Sequence, residues 1–114
     1  MAEVAINEKE QKVPTKITVI YDNPVDPAVF EEGYPAQLGL AKSLPGLQRV
    51  ESAKVWPKED GTPTPAYRTI DLYFHDYDAA SEAVTTQEAG AFFPNIFELA
   101  TGGVRILFAD IEET

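Results

Sequence analysis

TKITVIYDNPVDPAVFEEGYPAQLGLAKSLPGL, residues 15–47, holds a strand, a capped helix and a stop in one run. Ile17, Val19 and Tyr21 alternate with Thr18 and Ile20, the period-two pattern of a strand. Asn23-Pro24-Val25-Asp26-Pro27 breaks that strand and starts a helix. Asp26 suits the N-cap and Pro27 the first helical position, where a missing N–H costs nothing. Val25 and Phe30 stand where a hydrophobic staple closes. The spacing predicts a helix from about residue 27 to 44, with Phe30, Tyr34, Leu38, Ala41 and Leu44 on one face. Pro45-Gly46 ends it. Inside, Gly33-Tyr34-Pro35 breaks the local rules, since Pro35 cannot donate to the Glu31 carbonyl and pushes Tyr34 out of the α region. Such a conflict marks either a functional site or a kink that wraps a helix round a curved sheet.

Reading outward, residues 2–14 are mostly polar and lack sustained periodicity, so residues 1–14 are expected to be a flexible segment before a single domain at 15–114. A second strand is predicted over 47–56 and a third over 67–75, where Ile70, Leu72 and Phe74 alternate with Thr69, Asp71 and Tyr73. Residues 57–66 carry three prolines and Gly61, too long for a two-residue turn, and form a projecting loop with Trp56 at its base. That indole either marks a contact surface or packs on the prolines of its own loop. Asp76 or Asp78 caps a short helix, and Thr85 to Glu88 has capping-box spacing before a second long one. There Ala89, Phe92, Phe93, Ile96, Phe97 and Ala100 recur at helical spacing, with Pro94 expected to bend the segment. Gly102-Gly103 ends it and residues 104–110 are the last strand.

The order βαββαβ predicts a ferredoxin-like α+β fold, a four-stranded antiparallel sheet with the helices on one face. Ile17, Val19, Ile70, Leu72, Phe74, Val104, Ile106 and Phe108 would face the helices. Thr18, Ile20, Arg49, Ala53, Val55, Asp71, Tyr73, Arg105 and Leu107 would lie opposite, on a face too apolar for bare water. The expectation is a homodimer joined through that face, with Arg49, Asp71 and Arg105 pairing across or within the interface.

Composition narrows the chemistry. The chain has 114 residues with 9 Lys and Arg against 19 Asp and Glu, a net charge of −10. That balance argues against binding a nucleic-acid backbone. No cysteine and a single histidine remove disulfides, thiol nucleophiles and the usual zinc sites, so no metal is expected. There is no glycine-rich phosphate loop and no G-x-S-x-G elbow. No run nears the ~20 apolar residues of a membrane span, and no apolar leader follows Met1. A cytoplasmic protein without membrane contact is expected.

Phe30-x-x-Gly33-Tyr34-Pro35, Leu38 to Ala41, Pro45-Gly46-Leu47, Pro65-Ala66-Tyr67-Arg68 and Gly102-Gly103-Val104 resemble the EthD (ethyl tert-butyl ether degradation) family of the dimeric α+β barrel superfamily. The resemblance spans about residues 15–112. It implies a ferredoxin-like protomer pairing sheet to sheet, and relatives that act on small organic molecules without a cofactor, oxidoreductases among them, beside others without known activity. Family members often carry His just before the helix tyrosine and three residues after it; here those positions are Gly33 and Gln37.

The candidate site follows. Tyr34 and His75 are the candidate catalytic residues, the first through its hydroxyl, the second as the one imidazole. Gln37, one turn from Gly33 on the helix surface, and Phe93 and Phe97 are the candidate ligand-binding residues. They would serve an apolar pocket for a small organic molecule, needing no cofactor. Two functions fit: cofactor-free acid–base or oxygen chemistry in a degradation pathway, or a non-enzymatic accessory or ligand-sequestering protein. A buried tyrosine with an unpaired Gln37 amide favours the first; a filled core favours the second.

Overall fold

A computed structural model describes residues 13–113. Its elements are β1 (Thr15–Tyr21), α1 (Pro27–Lys42), β2 (Arg49–Lys54), β3 (Arg68–Phe74), α2 (Tyr77–Ala83), α3 (Gln87–Leu99) and β4 (Val104–Asp110). The strands form one sheet in the order β2-β3-β1-β4, and every neighbouring pair is antiparallel. This is the ferredoxin-like arrangement that the element order predicts. The flexible segment expected at residues 1–14 lies outside the described residues, apart from Val13 and Pro14; the Pro14 carbonyl accepts from Ile111 N–H at 2.8 Å.

The register sets the two faces. Ile17 lies between Leu72 and Phe108, and Val19 between Ile70 and Ile106, all on the helix side. Ile17, Val19, Tyr21, Ile70, Leu72 and Phe74 are fully buried there beneath Phe30, Tyr34, Ala41, Phe92 and Ile96. On β4 the same side is only partly covered, and Phe108 is exposed, with its ring edge toward Tyr77 at 6.4 Å. β4 is an edge strand, and α2 packs over β1 and β3 instead.

Several local expectations change. α1 runs unbroken through Gly33-Tyr34-Pro35 and stops at Lys42 with Ser43 as C-cap, two residues earlier than expected. Burial of four side chains on the sheet outweighs one lost backbone bond. Gly33 has a packing reason: a Cβ there would lie 3.0 Å from Leu99 Cδ1, so glycine lets α3 close on α1. Pro94 likewise sits inside an uninterrupted α3. The N-cap of α3 is Thr86, accepting from Ala89 N–H at 3.2 Å, while Thr85 donates back to the Glu82 carbonyl and closes α2. The staple does not form, because Val25 is 81 % exposed; its N–H donates to Thr101 Oγ1 and holds that turn against the α3–β4 corner. At that corner a Cβ on Gly102 would fall 1.8 Å from the Asn23 carbonyl oxygen, so only glycine permits the approach. Among the described residues no helix is long and apolar enough to cross a membrane.

Candidate functional site

α1 delivers the site. Asp26 caps it by accepting from Ala28 N–H at 3.0 Å, and the 3.6-residue period then turns Phe30, Tyr34, Gln37 and Ala41 onto the sheet. Phe30 is the hub of an aromatic cluster. Its ring meets Tyr21 edge-on at 5.0 Å and Tyr67 at 5.2 Å, and stacks on Tyr34 at 5.6 Å. The polar tips of these rings form a seam between helix and strands.

At the buried end of the seam, Gln37 Nε2 donates to the Tyr21 hydroxyl at 2.9 Å, and Gln37 is completely buried. This corrects the surface position expected for Gln37: α1 puts residues 30, 34, 37 and 41 under one another. Among the described residues Gln37 Oε1 meets no partner. A buried acceptor left unmet costs about 1–3 kcal/mol. Burial pushes the Tyr21 hydroxyl pKa up, against the lowering effect of the Gln37 bond. The Tyr34 hydroxyl reaches Ser52 Oγ on β2 at 2.6 Å, and Ser52 is exposed, so here the seam touches solvent.

One turn earlier on α1, Glu31 binds Arg68 through two bonds of 3.0 and 2.9 Å, and the Tyr67 hydroxyl donates to the same carboxylate at 2.8 Å. The Arg68 guanidinium lies 4.3 Å from the Tyr34 ring centroid, and the Lys54 ammonium 5.4 Å from that of Tyr67. Hydrogen bonding from Arg68, above all, holds the Glu31 carboxyl at about 2, well below its ordinary 4.5. The same bond raises the Arg68 pKa. Burial first, and then the Glu31 bond, raises Tyr67. Glu31 is therefore a fixed anion. It is a poor proton acceptor near neutral pH.

The structure thus brings Tyr34 and Gln37 together. It does not bring His75 to them. His75 is exposed just past β3, five residues beyond Ile70, the partner of Ser52, which is roughly 17 Å along a strand. Phe93 is half-buried against Phe92, ring centroids 5.0 Å apart, and Phe97 is 61 % exposed on the outer side of α3. Glu31, Ser52 and Arg68 are the members that sequence reasoning missed. One signal was available: Arg68 and Ser52 share strand parity with Ile70 and Val50, and a cation on the apolar side of a strand needs a partner. Among the described residues no cluster of His, Asp or Glu is placed to hold a metal ion.

Sheet order, helix layer and seam define the class: a ferredoxin-like α+β protein with the EthD-type fold. An EthD family protein from Bacillus halodurans C-125 matches with a TM-score of 0.79 at 20 % identity, over 86 % of this chain and 98 % of that one. SnoaB, a cofactor-independent oxygenase from Streptomyces nogalater, matches at 0.61 and 15 % identity, over 90 % and 96 %. A dimeric ferredoxin-like protein of unknown function from Jannaschia sp. CCS1 matches at 0.63 and 14 %, over 86 % and 99 %. No family model matches the chain. In sequence, the chain belongs to the family of the uncharacterized 11.0 kDa protein in the thcB-thcC intergenic region of Rhodococcus erythropolis. The two are 34 % identical over 100 residues, 87 % of this chain and 95 % of that protein.

Proposed function

We propose that this protein is a homodimer that binds a small organic molecule between α1 and the sheet. The observation that carries the reading is Gln37 Oε1, a fully buried acceptor beside the Tyr21 hydroxyl that has no partner among the described residues. Buried polar atoms are nearly always met, so an unmet one is a place where a ligand donor is worth most. The ligand is then a mostly apolar body with one O–H or N–H, suited to the aromatic walls of Tyr21, Phe30 and Tyr34. Access would run past the Tyr34–Ser52 contact, where the seam reaches solvent. The fold shared with an EthD family protein and with a cofactor-independent oxygenase supports a small organic ligand. Any chemistry on it would fall to the Tyr34 hydroxyl. The dimer would join the bare faces of the two sheets, where Leu107 is 50 % exposed.

A second reading, ligand sequestration without turnover, is favoured by one observation. Glu31 is fixed as an anion and burial raises the Tyr21 pKa, so neither takes up a proton near neutral pH. Native mass spectrometry of the purified protein, followed by thermal-shift titration with the molecule it carries, tests the binding. Tyr34→Phe removes one hydroxyl and should weaken binding by about 0.5–1.5 kcal/mol, two- to tenfold, at little cost in stability. His75→Ala should leave it unchanged. Loss of binding in the histidine variant alone would overturn the site; turnover of the bound molecule would overturn sequestration.

A further inference from the structure

Two buried side-chain oxygens lack a hydrogen-bond partner among the described residues: Gln37 Oε1 and Asn95 Oδ1 on α3. The second has no part in the site described above, and its place follows from the packing of α3 on α1. β1 runs parallel to β2, and β3 parallel to β4, with the two pairs opposed. Each crossover helix runs back along its own pair, so α1 and α3 are antiparallel. They touch where a Cβ on Gly33 would lie 3.0 Å from Leu99 Cδ1. From that contact Gln37 is four residues onward in α1, and Asn95 four residues back in α3. Residues four apart lie on one stripe of a helix, and in an antiparallel pair both steps climb the same way, each by roughly 6 Å. The two amides therefore stand level on facing stripes. Gln37 is completely buried and its Nε2 is held by the Tyr21 hydroxyl, which leaves Oε1 at the other end of the amide.

Two carbonyl oxygens cannot bond to each other. Placed level, they favour a donor that carries two hydrogens on one atom. A phenol or alcohol brings one; an –NH2 group brings two. An ammonium would need an anion at such depth, and the carboxylate of α1 nearest in the seam, Glu31, is already bound by Arg68 and Tyr67. We propose that the ligand carries an uncharged –NH2 group, that of an aryl amine or a primary amide, which donates to Gln37 Oε1 and Asn95 Oδ1 together. This rests on the ligand reading above. It adds the chemistry of the ligand's inner end and makes Asn95 the residue that selects it.

The probes are 4-methylaniline and 4-methylphenol, which share a body and differ in that one group. In calorimetric titration of the full chain, the amine should bind more tightly by roughly two- to tenfold, the worth of one added hydrogen bond. Asn95→Leu should abolish that preference and leave the phenol's affinity unchanged. It should melt no lower than the wild type, because it removes an acceptor that nothing meets. Equal affinities in the wild type, or a preference that survives Asn95→Leu, overturn the shared site while leaving the ligand reading intact. A melting temperature many degrees lower in Asn95→Leu overturns it too, since Oδ1 would then be bonded within the fold. Binding of neither probe overturns the amino-group assignment, and native mass spectrometry that finds no carried molecule overturns the ligand reading with it.

Discussion

On the helix side of the sheet, Ile17, Val19, Ile70, Leu72 and Phe74 are fully buried, and the polar groups that reach the layer bond to one another. On the bare side, Ile20, Asp71 and Tyr73 are half-buried and Leu107 half exposed, while the charges pair along the surface. Lys16 meets Asp71 at 3.5 Å, Arg49 meets Glu51 at 2.9 Å, and Arg105 meets Asp22 at 3.1 Å. The difference is one of unfinished business. Among the described residues the helix layers hold two open acceptors, Gln37 Oε1 against the sheet and Asn95 Oδ1 on α3, each of a size to take a single donor atom. The bare side leaves partly apolar surface uncovered, Leu107 at 50 % exposure among it. Surface ion pairs contribute little to folding, so in the proposed dimer their value would be to fix register against the second copy.

The largest effect should come from adding a charge to the bare face. Leu107 stands opposite Thr18 near the middle of the sheet, so its symmetry mate would be close. Burying such a side chain contributes roughly 1.5–3 kcal/mol, and the two-fold doubles it. Leu107→Glu should therefore convert dimer to monomer in sedimentation while the circular dichroism of the fold persists. A dimer that survives unchanged would mean that the bare face is solvated and the contrast between the faces is false.

Next in size is Arg68→Ala, which strikes the helix side. It leaves Glu31 as an unpaired anion and frees the Tyr34 ring face. Hydrogen bonds to charged groups contribute about 1.5–3 kcal/mol, and partial exposure of Glu31 puts the cost at the low end. A melting temperature lower by roughly 6–12 °C is expected. The variant should also change the acid limb of stability. The folded carboxyl of Glu31 is depressed from 4.5 to about 2, so its contribution is full above pH 4.5 and is lost as pH falls toward 2. Denaturation midpoints should decline over that window in the wild type and less steeply in Arg68→Ala. Parallel declines would show that other carboxylates carry the acid response.

How much of this was legible in the residues varies with the kind of signal. Alternation in 15–21, 68–74 and 104–110 carries the strands and both faces, because side-chain period in a strand is a geometric necessity. Tyr34 was legible as well, since a glycine and a proline beside it break helix rules. The break itself did not occur, because burial of the sheet-facing side chains outweighs the bond lost at Pro35, and Gly33 answers instead to Leu99, 66 positions away, whose Cδ1 would lie 3.0 Å from a Cβ there. Gln37 was misplaced for a related reason. A polar residue on a helix is read as exposed unless its buried partner is known, and here the partner is a tyrosine from the end of β1. The Glu31–Arg68 pair joins residues 37 apart, and only strand parity hinted at it.

The smallest expected change in stability tests the point on which the ligand reading depends. Gln37→Leu alone would leave the Tyr21 hydroxyl buried without its donor, at a cost of about 1–3 kcal/mol. Adding Tyr21→Phe removes that hydroxyl too, and replacing both partners by apolar groups of similar shape is close to neutral or stabilising. The double variant should melt within a few degrees of the wild type, or above it, because the unmet Oε1 has gone as well. It should also have lost the bound molecule seen by native mass spectrometry. Residues in contact are not additive, so the double-mutant cycle isolates the Tyr21–Gln37 term from the packing of either side chain. If the double variant falls by many degrees, the pair is a structural bond of the core and the open acceptor no invitation. If it keeps both stability and ligand, the molecule sits elsewhere, and the helix side is as finished as its buried aliphatic side chains suggest.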